Sequence, residues 1–191
     1  MDVARPGHYY QEAVPSATSS YADPRAHALR DRYARVFGGA EIPVPVESIA
    51  EDLLGLRIEE RLLEYSGMLL PADRTIVLNA AESPRNDPPL RRHRFTIAHE
   101  IGHWVCHCLE GRAETLEPSY CRATDIANDV DRKIEREANI FASELLMPEA
   151  AVRAAWEETP ELEAVSARLD VSPSAIGWRL FNLGLVAEKP A

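Results

Sequence analysis

His99-Glu100-Ile101-Gly102-His103 forms an HExxH motif, and the residues on both sides of it have a helical pattern. Two His four residues apart lie on one face of a helix, where both can hold one Zn²⁺, and Glu100 can reach a water bound beside them. Chance placement of the chain's His and Glu residues would produce this motif roughly 0.02 times. The stretch therefore predicts a zinc hydrolase site on a helix. The alternative is a helix with two structurally satisfied His.

A catalytic zinc usually has three protein ligands, so the motif needs a partner from elsewhere in the chain. The extended motif HExxHxxGxxH is excluded, because Cys106 and Leu109 stand where it requires Gly and a third His. His107 lies about 80° around the helix from His99. We expect His107 to pack beside the site rather than to bind the metal.

Two carboxylates further along the chain are better candidates for the third ligand. Glu135 and Glu137 lie about 200° apart on a helix, so only one of them can face the metal. Glu135 shares its face with small residues and with Asn139, whose amide oxygen can accept the outer N–H of a ligating His. Glu137 shares its face with Lys133 and Glu144, a pattern typical of a solvated face. We therefore predict Glu135 as the ligand, with Glu137 as the alternative.

The three predicted ligands and Glu100 together indicate catalysis. Zn²⁺ would lower the pKa of a bound water and polarise the scissile carbonyl, while Glu100 accepts the water's proton and passes it to the leaving amine. A purely structural zinc site would not need Glu100. The group that stabilises the oxyanion stays open among Tyr120, His107 and Arg94. The predicted strand Thr75–Asn79 offers a possible open edge for an extended substrate.

Composition narrows the class of protein. The chain has 191 residues, of which 46% are apolar, enough for one hydrophobic core. Its net charge of −10 argues against nucleic acid or an anionic membrane as a partner, and favours a basic protein. Neither a membrane span nor a signal peptide is visible, so we expect a cytoplasmic protein. Three Cys without a disulfide framework fit a reducing compartment, and we expect Cys106 and Cys108 to be buried thiols rather than ligands of a second metal.

The pattern along the chain predicts a loosely attached tail over residues 1–23, a peptidase core over 24–148 and a helical subdomain over 149–191. The polar stretch 83–94 reads as a loop, with the HExxH helix beginning at Phe95 or Thr96. Three extended segments read as a small antiparallel sheet. The predicted strands are 56–62, 67–70 and 75–79, and the other predicted helices are 24–37, 46–54, 129–147, 149–157, 160–169 and 173–183.

Both long motifs, Phe95–His103 and Glu135–Pro148, resemble the ImmA/IrrE metallopeptidases in sequence and in order. Ser66–Leu69 and Val171–Leu185 extend the resemblance, which covers roughly 43–185. It implies an α+β, zincin-like fold with Zn²⁺ on the two His of the motif and the Glu of the later helix. It also implies a cytoplasmic helix-turn-helix repressor as substrate, whose cleavage derepresses stress-response or mobile-element genes. Longer members carry a sensor-like domain that nothing in this sequence matches.

The C-terminal residues have the form of a helix-turn-helix unit, with Ser172 able to cap a helix that begins at Pro173. Residues 149–191 nevertheless carry more acidic than basic side chains, and the last helix offers only Arg179 as a cation. We expect this unit to pack on the core or to dock a protein, not to read DNA. The buried face should contain the apolar residues Ile176, Leu180, Phe181 and Leu183.

The leading hypothesis is therefore a zinc endopeptidase that cleaves a repressor. Two alternatives belong to other classes: a zinc-stabilised docking module without turnover, and a transcriptional regulator acting through its C-terminal helices. Glu100 argues against the first alternative, and salt-dependent DNA binding would be required by the second.

Overall fold

The computed structural model describes residues 23–39, 41–82, 89–112 and 129–190. Expectations for residues 1–22, for Tyr120 and for most of the acidic connection before the second long helix lie outside this part of the chain. Within it the chain forms seven α-helices and one three-stranded sheet. The predicted α+β class is confirmed.

Two short helices open the described part. Helix α1 spans Pro24–Tyr33 and continues through a π-helical turn, Ala34–Gly38. Asp23, which we expected to end the tail, caps this helix by accepting a hydrogen bond of 2.8 Å from the backbone N–H of Arg25. Helix α2, Val46–Ser48, likewise continues as a π-helical turn, Ile49–Leu53. Both predicted helices are confirmed.

The sheet contains strands β1 (Arg57–Arg61), β2 (Gly67–Leu70) and β3 (Thr75–Asn79) in the order β1-β3-β2. Strands β2 and β3 pair antiparallel, as predicted, but β1 pairs parallel to β3. The prediction of a wholly antiparallel sheet is therefore wrong. The chain crosses from β1 to the opposite edge and returns through a turn into the centre, so β3 runs in the same direction as β1.

Strand β3 is the central strand, and all five of its residues are buried. The expectation that β3 offers an open edge is wrong, because its backbone groups pair on both sides. Among the described residues, the outer edges of the sheet belong to β1 and β2.

Helix α3 spans Pro89–His103 and continues through a π-helical segment, Trp104–Arg112. It begins six residues before Phe95, so the prediction of a loop up to residue 94 is wrong. Arginines in its first turns make fixed contacts: Arg94 donates to the carbonyl oxygen of Val44 at 2.7 Å, and Arg91 and Arg94 both pair with Asp170. The polar composition of residues 83–94 is typical of a loop, and local sequence does not reveal the distant partners that hold these arginines in a helix.

The second half of the chain is helical, as predicted. Helix α4 spans Asp129–Leu146, and Pro148 follows it. Ser172 caps the last helix by accepting from the backbone N–H of Ala175 at 3.1 Å. The three helices after Pro148 are α5 (Glu149–Glu158), α6 (Leu162–Leu169) and α7 (Pro173–Asn182).

A single cluster of buried apolar side chains extends from α1 through the sheet, α3 and α4 to α7. Phe141 and Leu145 of α4 belong to it and are fully buried. Ile176 and Leu180 are buried, as predicted, whereas Phe181 and Leu183 are only half-buried. One core therefore joins the HExxH helix to the C-terminal helices.

Arg179 of α7 is 3% exposed and pairs with Glu144 of α4 at 2.5 Å. It also donates to the carbonyl oxygen of Met147 at 3.0 Å. The expectation that Glu144 lies on a solvated face is wrong, because Glu144 is buried against Arg179, a partner 35 residues away in sequence. The pair joins α7 to α4.

No helix in residues 23–39, 41–82, 89–112 or 129–190 combines the length and the apolar character needed to cross a bilayer.

Candidate metal centre

Helices α3 and α4 approach each other closely at Gly102 and Ala138. A Cβ atom placed on Gly102 would lie 3.1 Å from both the Cα and the carbonyl oxygen of Ala138. A Cβ atom at Gly102 would therefore fit only if the backbone of Ala138 moved by a few tenths of an ångström. The two helices therefore meet almost backbone to backbone, one residue before the second His of the motif.

The close approach brings His99, His103 and Glu135 together. The Nε2 atoms of the two His lie 3.0 Å apart, and each lies 3.2 Å from a different carboxylate oxygen of Glu135. Ligand atoms about 2.0–2.1 Å from a tetrahedral Zn²⁺ would lie about 3.3–3.4 Å from one another. The three side chains therefore have nearly the spacing that a zinc ion requires. They are also the one group of His, Cys, Asp and Glu in the described chain with metal-ligand spacing.

Asn139, one turn after Glu135, fixes the orientation of His99. The Nδ1–H of His99 donates to the amide oxygen of Asn139 at 3.1 Å. With Nδ1 donating to Asn139, Nε2 is the nitrogen of His99 that faces His103 and Glu135, and it can bind a metal once it gives up the proton that it donates to Glu135. The contact expected from the spacing of Glu135 and Asn139 is present.

Burial and the neighbouring charges set the protonation of the cluster. Burial lowers the pKa of His103 to about 4, although its hydrogen bond to Glu135 acts in the opposite direction. Burial would raise the pKa of Glu135, but hydrogen bonds from both His lower it to about 2. For His99, burial is outweighed by Glu135, Glu100 and Asn139, and the pKa is raised. At neutral pH the cluster thus contains an ionised carboxylate and a neutral His103.

Glu100 is 2% exposed and lies beside the cluster. Its negative charge is one of the causes that raise the pKa of His99. A carboxylate enclosed at this position can exchange a proton with a group held by the three side chains.

The alternatives left open by the sequence lie outside the cluster. Glu137 is 4.0 Å from Nδ1 of His107 and 3.9 Å from Lys133, and it does not reach His99 or His103. His107 is buried next to the ring of His103 but is not part of the ligand group. Arg94 is held by Val44 and Asp170.

The two thiols in the described part of the chain do not join the site. Cys106 and Cys108 are both buried, as expected, and neither belongs to the ligand group. Burial raises the pKa of the Cys108 thiol to about 11, so this thiol keeps its proton. Sequence reasoning did not identify Gly102 as the contact between the helices, although an isolated Gly within a helix is the signal of such a contact.

A comparison with protein-family models matches residues 51–181 to Peptidase M78, described as the IrrE N-terminal-like domain. The chain belongs to this family. Membership confirms the resemblance drawn from the two motifs, since both lie inside the matched range. His99, Glu100, His103 and Glu135 all lie inside the range that matches the M78 domain.

Among solved structures, the M78 chain is similar to a Mycobacterium tuberculosis transcriptional regulator, with a TM-score of 0.57 and 15% sequence identity. The similarity covers 82% of this chain and 46% of the regulator, so the chain spans less than half of the regulator's length. At this identity the likeness concerns the fold alone. Comparison with curated proteins gives no significant match.

Proposed function

We propose that the protein is a zinc-dependent endopeptidase that hydrolyses a peptide bond of another protein. The observation that carries the proposal is the cluster of His99, His103 and Glu135, with the Glu100 carboxylate buried beside it. Membership in a peptidase family supports the same reaction class.

The residues present fit zinc. Two imidazole nitrogens and one carboxylate leave a fourth tetrahedral position open, which is the arrangement of catalytic zinc sites. Zn²⁺ held by these residues would supply a water of lowered pKa and would polarise a substrate carbonyl. The bond from Nδ1 of His99 to Asn139 at 3.1 Å fixes the ring so that Nε2 faces the place that the ion would occupy.

Glu100 performs the proton transfers. Its carboxylate accepts a proton from the attacking water and then donates it to the nitrogen of the leaving amine. The enclosed position of Glu100 keeps bulk water from competing for this proton. General acid–base catalysis of this kind contributes about 10²–10⁴-fold to a rate.

The outer edge of strand β2 is better placed than β3 to bind an extended substrate. Gly67 of β2 packs on α3, since a Cβ atom there would lie 2.4 Å from Cγ2 of Thr96. Thr96 is less than one helical turn before His99. Among the described strands β2 has an unpaired outer edge, and backbone pairing there would bind a peptide with little demand on its sequence.

We further propose that the substrate is a cytoplasmic helix-turn-helix repressor, whose cleavage derepresses stress-response or mobile-element genes. The resemblance to ImmA/IrrE peptidases motivates this choice, and the net charge of −10 suits a basic, DNA-binding partner. Direct DNA binding by α7 is disfavoured, because its Arg179 is already paired with Glu144. We propose that residues 24–148 form the peptidase core and that residues 149–191 form a helical subdomain packed on it.

The test begins with a search of the neighbouring reading frames for a small helix-turn-helix protein, which is then mixed with the full chain loaded with Zn²⁺. We expect one cut in that protein, and a rate lowered about 10²–10⁴-fold in Glu100→Gln at equal zinc content. Glu137→Gln is the matched control, since Glu137 lies outside the cluster, and it should keep the normal rate. Cleavage at the normal rate by Glu100→Gln would refute the mechanism.

A further inference from the structure

Asp170 ends helix α6 in a backbone conformation that usually belongs to Gly. Its φ and ψ angles are both 52°, in the left-handed region. An L-residue in this region brings its Cβ atom close to a carbonyl oxygen, and Gly avoids this contact because it has no Cβ. A strained position therefore carries a carboxylate, and the contacts of that carboxylate indicate its role.

Both oxygens of the Asp170 carboxylate contact helix α3, which carries the HExxH motif. Oδ1 lies 3.3 Å from Nε of Arg91, and Oδ2 lies 3.1 Å from Nε of Arg94. The backbone carbonyl oxygen of Asp170 also accepts from Nε of Arg94, at 3.3 Å. Arg91 donates in addition to Oγ of Ser166 at 3.2 Å. The end of α6 therefore holds the first turns of α3 at two points.

These two points lie on the side of α3 away from the metal cluster. Arg91 and Arg94 are eight and five residues before His99, about 12 Å and 7.5 Å along the helix axis. Arg94 lies about 140° around the helix from His99 and about 180° from His103. Asp170 can therefore affect the two His only through the orientation of the helix that carries them.

The contact between α3 and α4 at Gly102 fixes their separation more firmly than their rotation. Gly102 has no side chain to interlock with Ala138, so this contact resists rotation of α3 less than an interlocked side chain would. A side-chain end lies about 6 Å from the axis of its helix, so a rotation of about 10° moves it by about 1 Å. Such a shift would change the spacing of 3.0–3.2 Å among His99, His103 and Glu135.

Helix α4, which carries Glu135, is held by the helix that follows Asp170. Arg179 of α7 pairs with Glu144 of α4 at 2.5 Å and donates to the carbonyl oxygen of Met147 at 3.0 Å. Helices α6 and α7 thus connect the start of α3 to the end of α4, away from the contact at Gly102.

We propose that Asp170 is a positioning residue of the metal centre, which holds α3 in the orientation that directs His99 and His103 toward Glu135. This inference rests on the proposed zinc site. A carboxylate that served only the fold would change the stability of the chain but not the zinc affinity of the folded state.

The test compares zinc affinity with stability in Asp170→Asn and Asp170→Gly, both made in the full chain. Asn and Gly tolerate the left-handed conformation, so both variants should fold, and Gly also relieves the strain. Partners that orient metal ligands contribute about 10–100-fold to affinity. Asp170 acts one step further from the ion, so each variant should bind Zn²⁺ about tenfold more weakly. Competition with a chelator measures the affinity, and urea denaturation measures the stability.

Glu158→Gln is the matched control. It removes one negative charge from the same part of the chain, but the partner of Glu158 is Arg168 of α6 and not a residue of α3. Its zinc affinity should change less than about twofold. Loading with Co²⁺ gives a second readout, because the visible bands of this ion depend on the geometry of its ligands. The bands should change in the Asp170 variants and stay the same in Glu158→Gln.

Wild-type zinc affinity in folded Asp170→Asn and Asp170→Gly, or unchanged Co²⁺ bands, would overturn the role of Asp170 and leave the zinc site standing. An equal loss of affinity in Glu158→Gln would overturn it as well, since net charge would then explain the loss. Absence of zinc binding to the wild-type chain would refute the metal centre itself, and this role with it.

Discussion

Glu135 and Glu137 stand two residues apart on α4 and have different surroundings. The oxygens of Glu135 face the two His of the motif at 3.2 Å, while Glu137 lies near Lys133 and His107. The angle of about 200° between them on a helix was enough to predict which carboxylate shares a face with Asn139. Helical geometry, read together with the residues on each face, thus distinguished two chemically identical candidates.

This difference predicts the effect of removing either charge. Glu135→Gln should lower the affinity for Zn²⁺ by at least about 100-fold, because a neutral amide replaces an anionic ligand. Glu137→Gln should change the affinity less than about threefold, since its carboxylate lies outside the cluster. Competition with a chromophoric chelator measures both. Equal losses in the two variants would show that Glu135 is not a ligand.

Protonation of the cluster predicts how zinc affinity depends on pH. Glu135, with a pKa of about 2, and His103, with a pKa of about 4, are already deprotonated near neutrality. His99 has a raised pKa, so in the metal-free protein it keeps a proton that zinc must displace. Zinc affinity should therefore fall about tenfold per pH unit below the pKa of His99, with one proton released per ion. Calorimetry in two buffers counts this proton, and an affinity independent of pH below neutrality would contradict the prediction.

The pKa shifts of His99 and His103 change the stability of the metal-free fold in opposite directions as the pH changes. The raised pKa of His99 contributes stability that is fully present below the unfolded value of about 6.5 and is lost as the pH rises through the folded value. The lowered pKa of His103 contributes stability that is present above about 6.5 and is lost as the pH falls toward about 4. Acid should thus destabilise the fold through His103.

At the scale of elements, the helices were predictable because their apolar residues recur with the helical period and Pro or Gly marks their ends. The beginning of α3 was not predictable, because the partners that hold Arg91 and Arg94 in the helix are Asp170 and Val44, which are far away in sequence. The parallel pairing of β1 with β3 was not predictable either. Alternation along a strand shows which face is buried but not the direction of its neighbour.

The close contact between α3 and α4 predicts that stability and zinc affinity depend on the size of the side chain at position 102. Gly102→Ala gains up to about 1 kcal/mol of helix propensity, which offsets its contact with the backbone of Ala138 at 3.1 Å. Gly102→Val adds two further atoms, cannot relieve the clash by rotation, and should cost about 1–3 kcal/mol. Both variants should weaken zinc binding, and Val should weaken it more than Ala. The added side chain pushes α4 away from α3, and Glu135 then moves away from His99 and His103. Urea denaturation and zinc titration test this, and Gly102→Val with wild-type zinc affinity would contradict it.

At the scale of the whole molecule, the C-terminal helices are attached to the core through the buried pair of Arg179 and Glu144. The sequence shows Arg179 only as the one cation of the last helix, and it predicts a solvated face for Glu144. Local periodicity shows the face of each residue within its own helix, but not which helices will meet. The single core was predictable from composition, whereas the polar contact that joins its two ends was not.

Breaking this pair should destabilise the entire fold. Arg179→Met should cost about 3–5 kcal/mol, because it leaves the carboxylate of Glu144 buried without its closest partner. Arg168→Met is the matched control, since Arg168 pairs with Glu158 at the surface, and it should cost less than about 1 kcal/mol. Thermal denaturation compares the two variants. Similar losses in both would show that the buried pair is not what attaches α7.

X-ray absorption at the zinc edge of the zinc-loaded full chain measures most directly which atoms hold the metal. His99, His103 and Glu135 predict a shell of nitrogen and oxygen at about 2.0–2.2 Å, with the multiple scattering of two imidazole rings and no sulfur. Glu135→Gln should lose this signal, and Glu100→Gln should keep it. A sulfur shell at about 2.3 Å would instead place the ion on the cysteines and contradict a peptidase centre at the HExxH helix.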